Sequence, residues 1–264
     1  VINDDNVTSY GCTTPFVNIP NSSWWEIESG YLVKSKEFDE VTTDSFDVDS
    51  LNSFKGTGDV EVELSFDCDG QLNSFGKKIW DALVSKSDVL LTDIKGTNSI
   101  KKVTYSDCYI CTPWSLILFA EIIDGLKQFL DTRWDHPEII LYTADKKPSY
   151  NGKGIYAEWQ SNDTKKSVIS NYFEQMDEHI LVDIKPMQNV PHGRIFSLFW
   201  SDDSITHIRL DHGVGCWSMD GRISTWMDIT SEPEVQVSNM FDMLRNMKVR
   251  YSKNFPTQIF IKKR

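Results

Sequence analysis

From residue 99 onward, short apolar runs alternate with longer stretches of helical period, and this alternation restricts the fold more than any other feature of the chain. Asp107–Thr112 and Glu138–Thr143 are apolar runs of strand length. Between them Thr112-Pro113 opens a helix that continues to about Thr132. Thr caps well, and Pro at the first helical position gives up no hydrogen bond. Ile117, Ala120, Ile123, Leu126 and Leu130 share one side of it, and its other faces are apolar too, which predicts a well-buried helix. Asn162 or Asp163 caps the next helix, whose Val168, Ile169, Tyr172, Phe173 and Met176 form one stripe. His179–Lys185 is then a strand ended by Pro186, and Arg194–Trp200 and Ile205–Asp211 form a hairpin through Ser201–Ser204. Ser231-Glu232-Pro233 opens an amphipathic helix through Lys248, and Gln258–Ile261 is a closing strand. Strands linked by crossover helices require a covered sheet. The expected class is therefore α/β: a mixed sheet flanked by helices.

Ahead of this regular region the signals are weaker. Residues 1–55 are rich in Ser, Thr, Asn and Asp and read as loops with one or two strands. Val60, Val62, Leu64 and Phe66 alternate with Glu61, Glu63 and Ser65, the period of a half-buried strand. Residues 74–86 read as a short helix, and Asp88–Ile94 as a strand. The division expected is a β-rich N-terminal region, 1–98, followed by a larger domain, 99–264.

The formal net charge is −12. Neutralising phosphates takes a concentrated Lys/Arg face, so strong non-specific binding to nucleic acid is not expected. Five cysteines, at 12, 68, 108, 111 and 216, form an odd and scattered set, unlike a disulfide framework. The longest apolar stretch, Trp114–Ile123, contains Glu121 and is far short of a bilayer span. No signal peptide is evident at the start. These features predict a cytoplasmic protein in a reducing compartment.

Four local patterns invite comparison with a known family: Asp107-Cys108-Tyr109-Ile110 before the long helix, the strand His179–Lys185, His192-Gly193-Arg194-Ile195, and Ile208–Gly215. In order and spacing, residues of about 100–250 resemble the phospholipase-D-like domain found C-terminal to MIT modules. The resemblance implies a site built on His-x-Lys, four residues, then Asp, present twice, with one His attacking phosphorus and the other protonating the leaving oxygen. Here Arg194 stands for Lys, and Phe199 occupies the position of the Asp. His207-Ile208-Arg209 has the His-x-Arg form, but Val214 follows where Asp is needed. The resemblance therefore implies a degenerate binding or assembly domain, a homodimer or a subunit of a larger complex, recognising a partner protein or a phosphate-bearing ligand through His192, Arg194, His207 and Arg209. A dimeric phosphodiesterase or nuclease with His192 as its catalytic residue is the alternative. No cofactor or metal is expected. Across the hairpin, Arg194 is expected to face Asp211 and be neutralised by it.

Other constellations are weaker. Asp93-Ile94-Lys95 and Asp183-Ile184-Lys185 have the Asp-x-Lys form of Mg²⁺-dependent nucleases, a second alternative. Cys108-x-x-Cys111 would present its thiols to opposite faces of a strand, which suits buried structural cysteines better than a redox pair. His207, His212 and Cys216 are a loose set for zinc. Gly213-Val214-Gly215 is a turn rather than a dinucleotide fingerprint.

Overall fold

The computed structural model describes residues 60–110, 112–145, 161–186, 189–190, 194–220, 235, 238–239 and 247–264. The helix expected to start at Ser231, over nearly all of its length, and His192 and Cys111 lie outside them. So do residues 1–59 of the expected N-terminal region.

The strands are β1 (Val60–Leu64), β2 (Gly70–Gln71), β3 (Ile100–Ser106), β4 (Glu138–Ala144), β5 (Ile180–Lys185), β6 (Ile195–Trp200), β7 (Ile205–Leu210), β8 (Trp217–Asp220), β9 (Lys248–Tyr251) and β10 (Thr257–Lys263). The helices are α1 (Phe75–Lys86), α2 (Asp88–Lys95), α3 (Pro113–Leu130) and α4 (Asn162–Glu174). Seven strands form one sheet in the order β1-β10-β7-β6-β3-β4-β5, and β2, β9 and β8 form a second. β3, β4 and β5 are parallel, whereas β6, β7, β10 and β1 follow one another antiparallel. This is the expected mixed sheet flanked by helices. β1, α1 and α2 lie N-terminal to residue 99 yet belong to the same assembly: β1 is the sheet edge beside β10, and α1 packs on α3.

Local chemistry explains most of the boundaries. Thr112 accepts from Ser115 N–H, Ser115 Oγ accepts from Thr112 N–H, and Pro113 leads the helix, so α3 starts where its sequence says it should. Ser161, rather than Asn162 or Asp163, caps α4. Two expected strands are corrected. Residues 88–95 are helical because the Ser87 hydroxyl accepts from Leu90 N–H, Asp88 sits in the first turn, and Leu90 and Ile94 point inward one turn apart. An apolar run of that length does not separate strand from helix by itself. Residues 107–110 are not a strand either; the strand is β3, just before them, and Asp107 turns the chain.

α1 crosses α3 at Gly76 and Gly125, where a Cβ on Gly76 would lie 1.6 Å from the Glu121 carbonyl oxygen and one on Gly125 2.4 Å from the Gly76 backbone. Only glycine permits that approach. Trp80 Nε1 donates to the Ile122 carbonyl at 2.7 Å across the same crossing. Phe119 of α3 stacks on Tyr105 of β3 and meets Phe173 of α4 and Phe196 of β6, so α3 and α4 lie on the same sheet face. By the two-residue period of strands, the opposite face carries Lys102, Thr104, Ser197, His207, Arg209 and Phe260.

Candidate functional site

The carboxyl end of β3 is the point where the sheet changes character, with parallel β4 on one side and antiparallel β6 on the other. Ligand sites of α/β sheets form at such places, and here several polar groups converge.

Asp107 follows β3 directly and is 1% exposed. Its Oδ2 accepts from the Tyr105 hydroxyl at 2.8 Å, and its Oδ1 accepts from Tyr109 N–H at 2.8 Å. The Arg194 Nε lies 3.9 Å from Oδ1. The ammonium of Lys165, also buried, donates to the Ala144 carbonyl at 3.1 Å at the neighbouring end of β4. Burial raises the Asp107 pKa; the Tyr109 amide, Arg194, Tyr105 and Lys165 all pull in the opposite direction. Tyr105 is raised well above its usual value, by burial first and then by Asp107.

Arg194 has a left-handed backbone, φ +44°, which costs a non-glycine residue about 1 kcal/mol. Its carbonyl accepts from Leu210 N–H at 3.0 Å, Nη1 donates to the Asp211 carbonyl, and the guanidinium lies over the Tyr109 ring, 5.0 Å from the centroid. Gly213 seals the cluster. At φ +55° a Cβ there would stand 2.4 Å from Asp107 Oδ2 and 2.7 Å from Arg194 Cδ.

Three of the four expected site residues are described, and the structure does not assemble them into one pocket. Arg194 meets Asp211 as expected, but through that residue's carbonyl; the carboxylate facing it is that of Asp107. Arg209, 6% exposed, lies over the Phe260 ring at 5.4 Å with Nη2 3.9 Å from Asp211 Oδ1. His207 pairs with Ser197, three residues along β6 from Arg194, about 10 Å at strand rise. Its Nδ1 is 2.8 Å from Ser197 Oγ. Burial, with help from Arg264 and Lys262, pulls its pKa down to about 4, so it is neutral near pH 7.

Neither Asp-x-Lys pair builds a metal site. Asp93 sits on α2 rather than after a strand, bound to Lys263 and accepting from Thr206 Oγ1 at 2.6 Å. Lys185 Nζ pairs with Asp183 at 3.3 Å along β5. Among the described residues no group of three or more His, Cys, Asp or Glu could hold a metal ion, the loose zinc set included. Cys68 and Cys216 are buried free thiols, Cys108 is buried as well, and burial raises the Cys216 pKa to about 12. Both oxygens of Asp107 are occupied by internal donors in a closed setting, so the cluster holds a loop and an arginine in place; it presents neither a general base nor an open ligand. Tyr105, Lys165 and Gly213 were not singled out as site residues in sequence, since each becomes informative only when the strand ends meet.

The whole is an α/β domain with a mixed sheet, helices and a sealed polar centre, a class that does not by itself imply a function. The chain belongs to the family described as DEAD/DEAH box helicase YjiV, C-terminal domain, whose model matches residues 58–263. This match spans the sheet from β1 to β10 and overturns the phospholipase-D-like resemblance. With it go the degenerate-phospholipase assembly reading, its pseudoenzyme and phosphate-recognition corollaries, and the phosphodiesterase and nuclease alternatives. Order and spacing of α/β elements had carried that resemblance; its catalytic Asp and second copy were missing from the outset. No curated protein matches the chain significantly. No helix among the described residues is long and apolar enough to cross a membrane.

Proposed function

We propose that the chain acts as a non-motor accessory domain of a DEAD/DEAH-box helicase, engaging the motor through protein contacts. The family match across residues 58–263 carries this reading. Two further observations support it. The sequence has no G-x-x-x-x-G-K-[S/T] phosphate loop, the motif through which such motors hold nucleotide, so nucleotide chemistry belongs to another part of the system. The net charge of −12 and the internal engagement of Arg194 and Arg209 disfavour a primary nucleic-acid grip. The test is calorimetric titration of the 264-residue chain into a recombinant DEAD/DEAH-box motor of this family, followed by ATP turnover of the motor with and without the chain. Saturable binding with a changed turnover rate is expected. Absence of binding together with unchanged turnover refutes the reading.

A further inference from the structure

The two edges of the seven-stranded sheet are built differently. A strand edge offers a row of unpaired N–H and C=O groups, which proteins guard with charge, with short strands or with a covering element. At one end β1 is guarded. Its Glu63 side chain is exposed, the Glu63 carbonyl accepts from the Lys86 ammonium at 2.7 Å, and that ammonium stands 3.6 Å from Asp67. At the other end β5 pairs with β4 alone among the described residues. Its sequence, Ile-Leu-Val-Asp-Ile-Lys, is apolar except for one acid and one base. These two charges are turned on each other: Lys185 Nζ lies 3.3 Å from Asp183 and over the Tyr142 ring, 5.5 Å from its centroid. The pair is neutral as a whole, so this edge carries no net charge to turn an incoming strand away.

Leu181 is 58% exposed. By register it shares a sheet face with Ile140 and Thr104, the face opposite α3 and α4. On the other face Val182 and Ile184 are half-buried, Val182 packing against the core. One exposed leucine is ordinary; an exposed leucine on an unguarded edge strand, with apolar neighbours on both faces, marks a place for another strand.

We propose that β5 pairs with β5 of a second copy of this chain, antiparallel and about a two-fold axis at Leu181, joining the two sheets into one. A two-fold axis normal to the sheet keeps each residue opposite one on the same face, so the axis passes through a residue. β5 has four interior residues to choose from. An axis at Asp183 sets two carboxylates against each other. One at Val182 sets Leu181 against Asp183. One at Ile184 brings Pro186, which has no N–H to give, into the ladder. The axis at Leu181 pairs Leu181 with itself, Ile180 with Val182, and Asp183 with His179, whose ring can donate to it. The strand thus complements itself over 179–183, which selects a second copy over an unrelated strand. So short a ladder makes a small interface, and a dissociation constant of about 10–100 μM is expected. The dimer does not depend on the accessory-domain reading.

Sedimentation equilibrium of the full 264-residue chain, from about 1 μM to about 500 μM so as to bracket that constant, tests the proposal with Leu181→Lys and Leu181→Glu as variants. Leu181 lies outside the core, so neither change threatens folding. The wild type is expected to pass from monomer to dimer as concentration rises. Each variant alone sets like charges face to face at the axis and is expected to dimerise about tenfold or more weakly. An equimolar mixture of the two is expected to pair again, because Lys then faces Glu. A wild type that stays monomeric throughout overturns the proposal, as does a Leu181→Lys protein that dimerises like the wild type. Variants that stay monomeric when mixed overturn the axis at Leu181. A monomeric wild type whose binding to a helicase motor is lost in Leu181→Lys gives the edge to the motor and overturns the dimer.

Discussion

Gly213→Ala tests whether the Asp107 centre is as closed as its geometry says. The backbone there has φ +55°, and an alanine held in that conformation costs about 1 kcal/mol. The added Cβ would then lie 2.4 Å from Asp107 Oδ2, 2.7 Å from Arg194 Cδ and 3.3 Å from the Tyr105 hydroxyl. The first two are closer than van der Waals contact allows, so one neighbour must move. Asp107 cannot shift freely, since Oδ2 accepts from Tyr105 and Oδ1 from Tyr109. Losing one such bond to a buried carboxylate costs about 1.5–3 kcal/mol. The sum, about 2–4 kcal/mol, is a drop in Tm of roughly 5–15 °C for a domain of this size. Urea titration of wild type and variant measures it, read as a lower midpoint at constant slope. Gly215→Ala is the internal control, because nothing lies within 4 Å of a Cβ there; it should change stability by no more than about 1 kcal/mol. A Gly213→Ala protein within about 0.5 kcal/mol of wild type would show that the centre is loose, and the argument for a fixed Arg194 would fail with it.

Two titrating groups give further predictions. His207 is held down to about 4 in the folded chain against an ordinary 6.5, so the unfolded chain binds its proton first. Stability should therefore fall as pH drops from 6.5 to 4, by about 1–2 kcal/mol after allowing for solvent screening, and His207→Gln should remove that part of the acid sensitivity in urea titrations at pH 7 and 4.5. Glu121, on α3, is pushed up to about 8, by burial first and by Asp124 second. The folded chain then holds its proton longer than the unfolded one, so stability should fall as pH rises from 4.5 to 8. Glu121→Gln should be more stable at pH 8 by roughly 2–4 kcal/mol, with the gain vanishing at pH 4; an equal gain at both pH values would contradict the assignment.

Much of the fold was legible because its signals are local. The cap at Thr112-Pro113, the turn at Ser201–Ser204 and the apolar run at Glu138 each settle an element from a few neighbouring residues. Asp88–Ile94 was misread because a short run of apolar residues has no period of its own, and the Ser87 cap decides it. The candidate site was much less legible. Asp107, Arg194 and Gly213 come from three separate strand ends, and only the order β7-β6-β3 brings them together. Arg194 was noticed for its His-x-Arg setting, but its carboxylate partner was expected to be Asp211, one ladder rung away, rather than a residue from β3. The mistaken family resemblance has the same origin: a succession of strands and helices is shared by many α/β domains, and no chemistry in these residues backed it.

The measurement that bears most directly on the account is titration of the 264-residue chain into a DEAD/DEAH-box motor, followed by ATP turnover of the motor with and without the chain. Saturable binding with a changed turnover rate is the predicted result. A motor that ignores the wild-type chain, and hydrolyses ATP at the same rate in its presence, would contradict the accessory-domain reading.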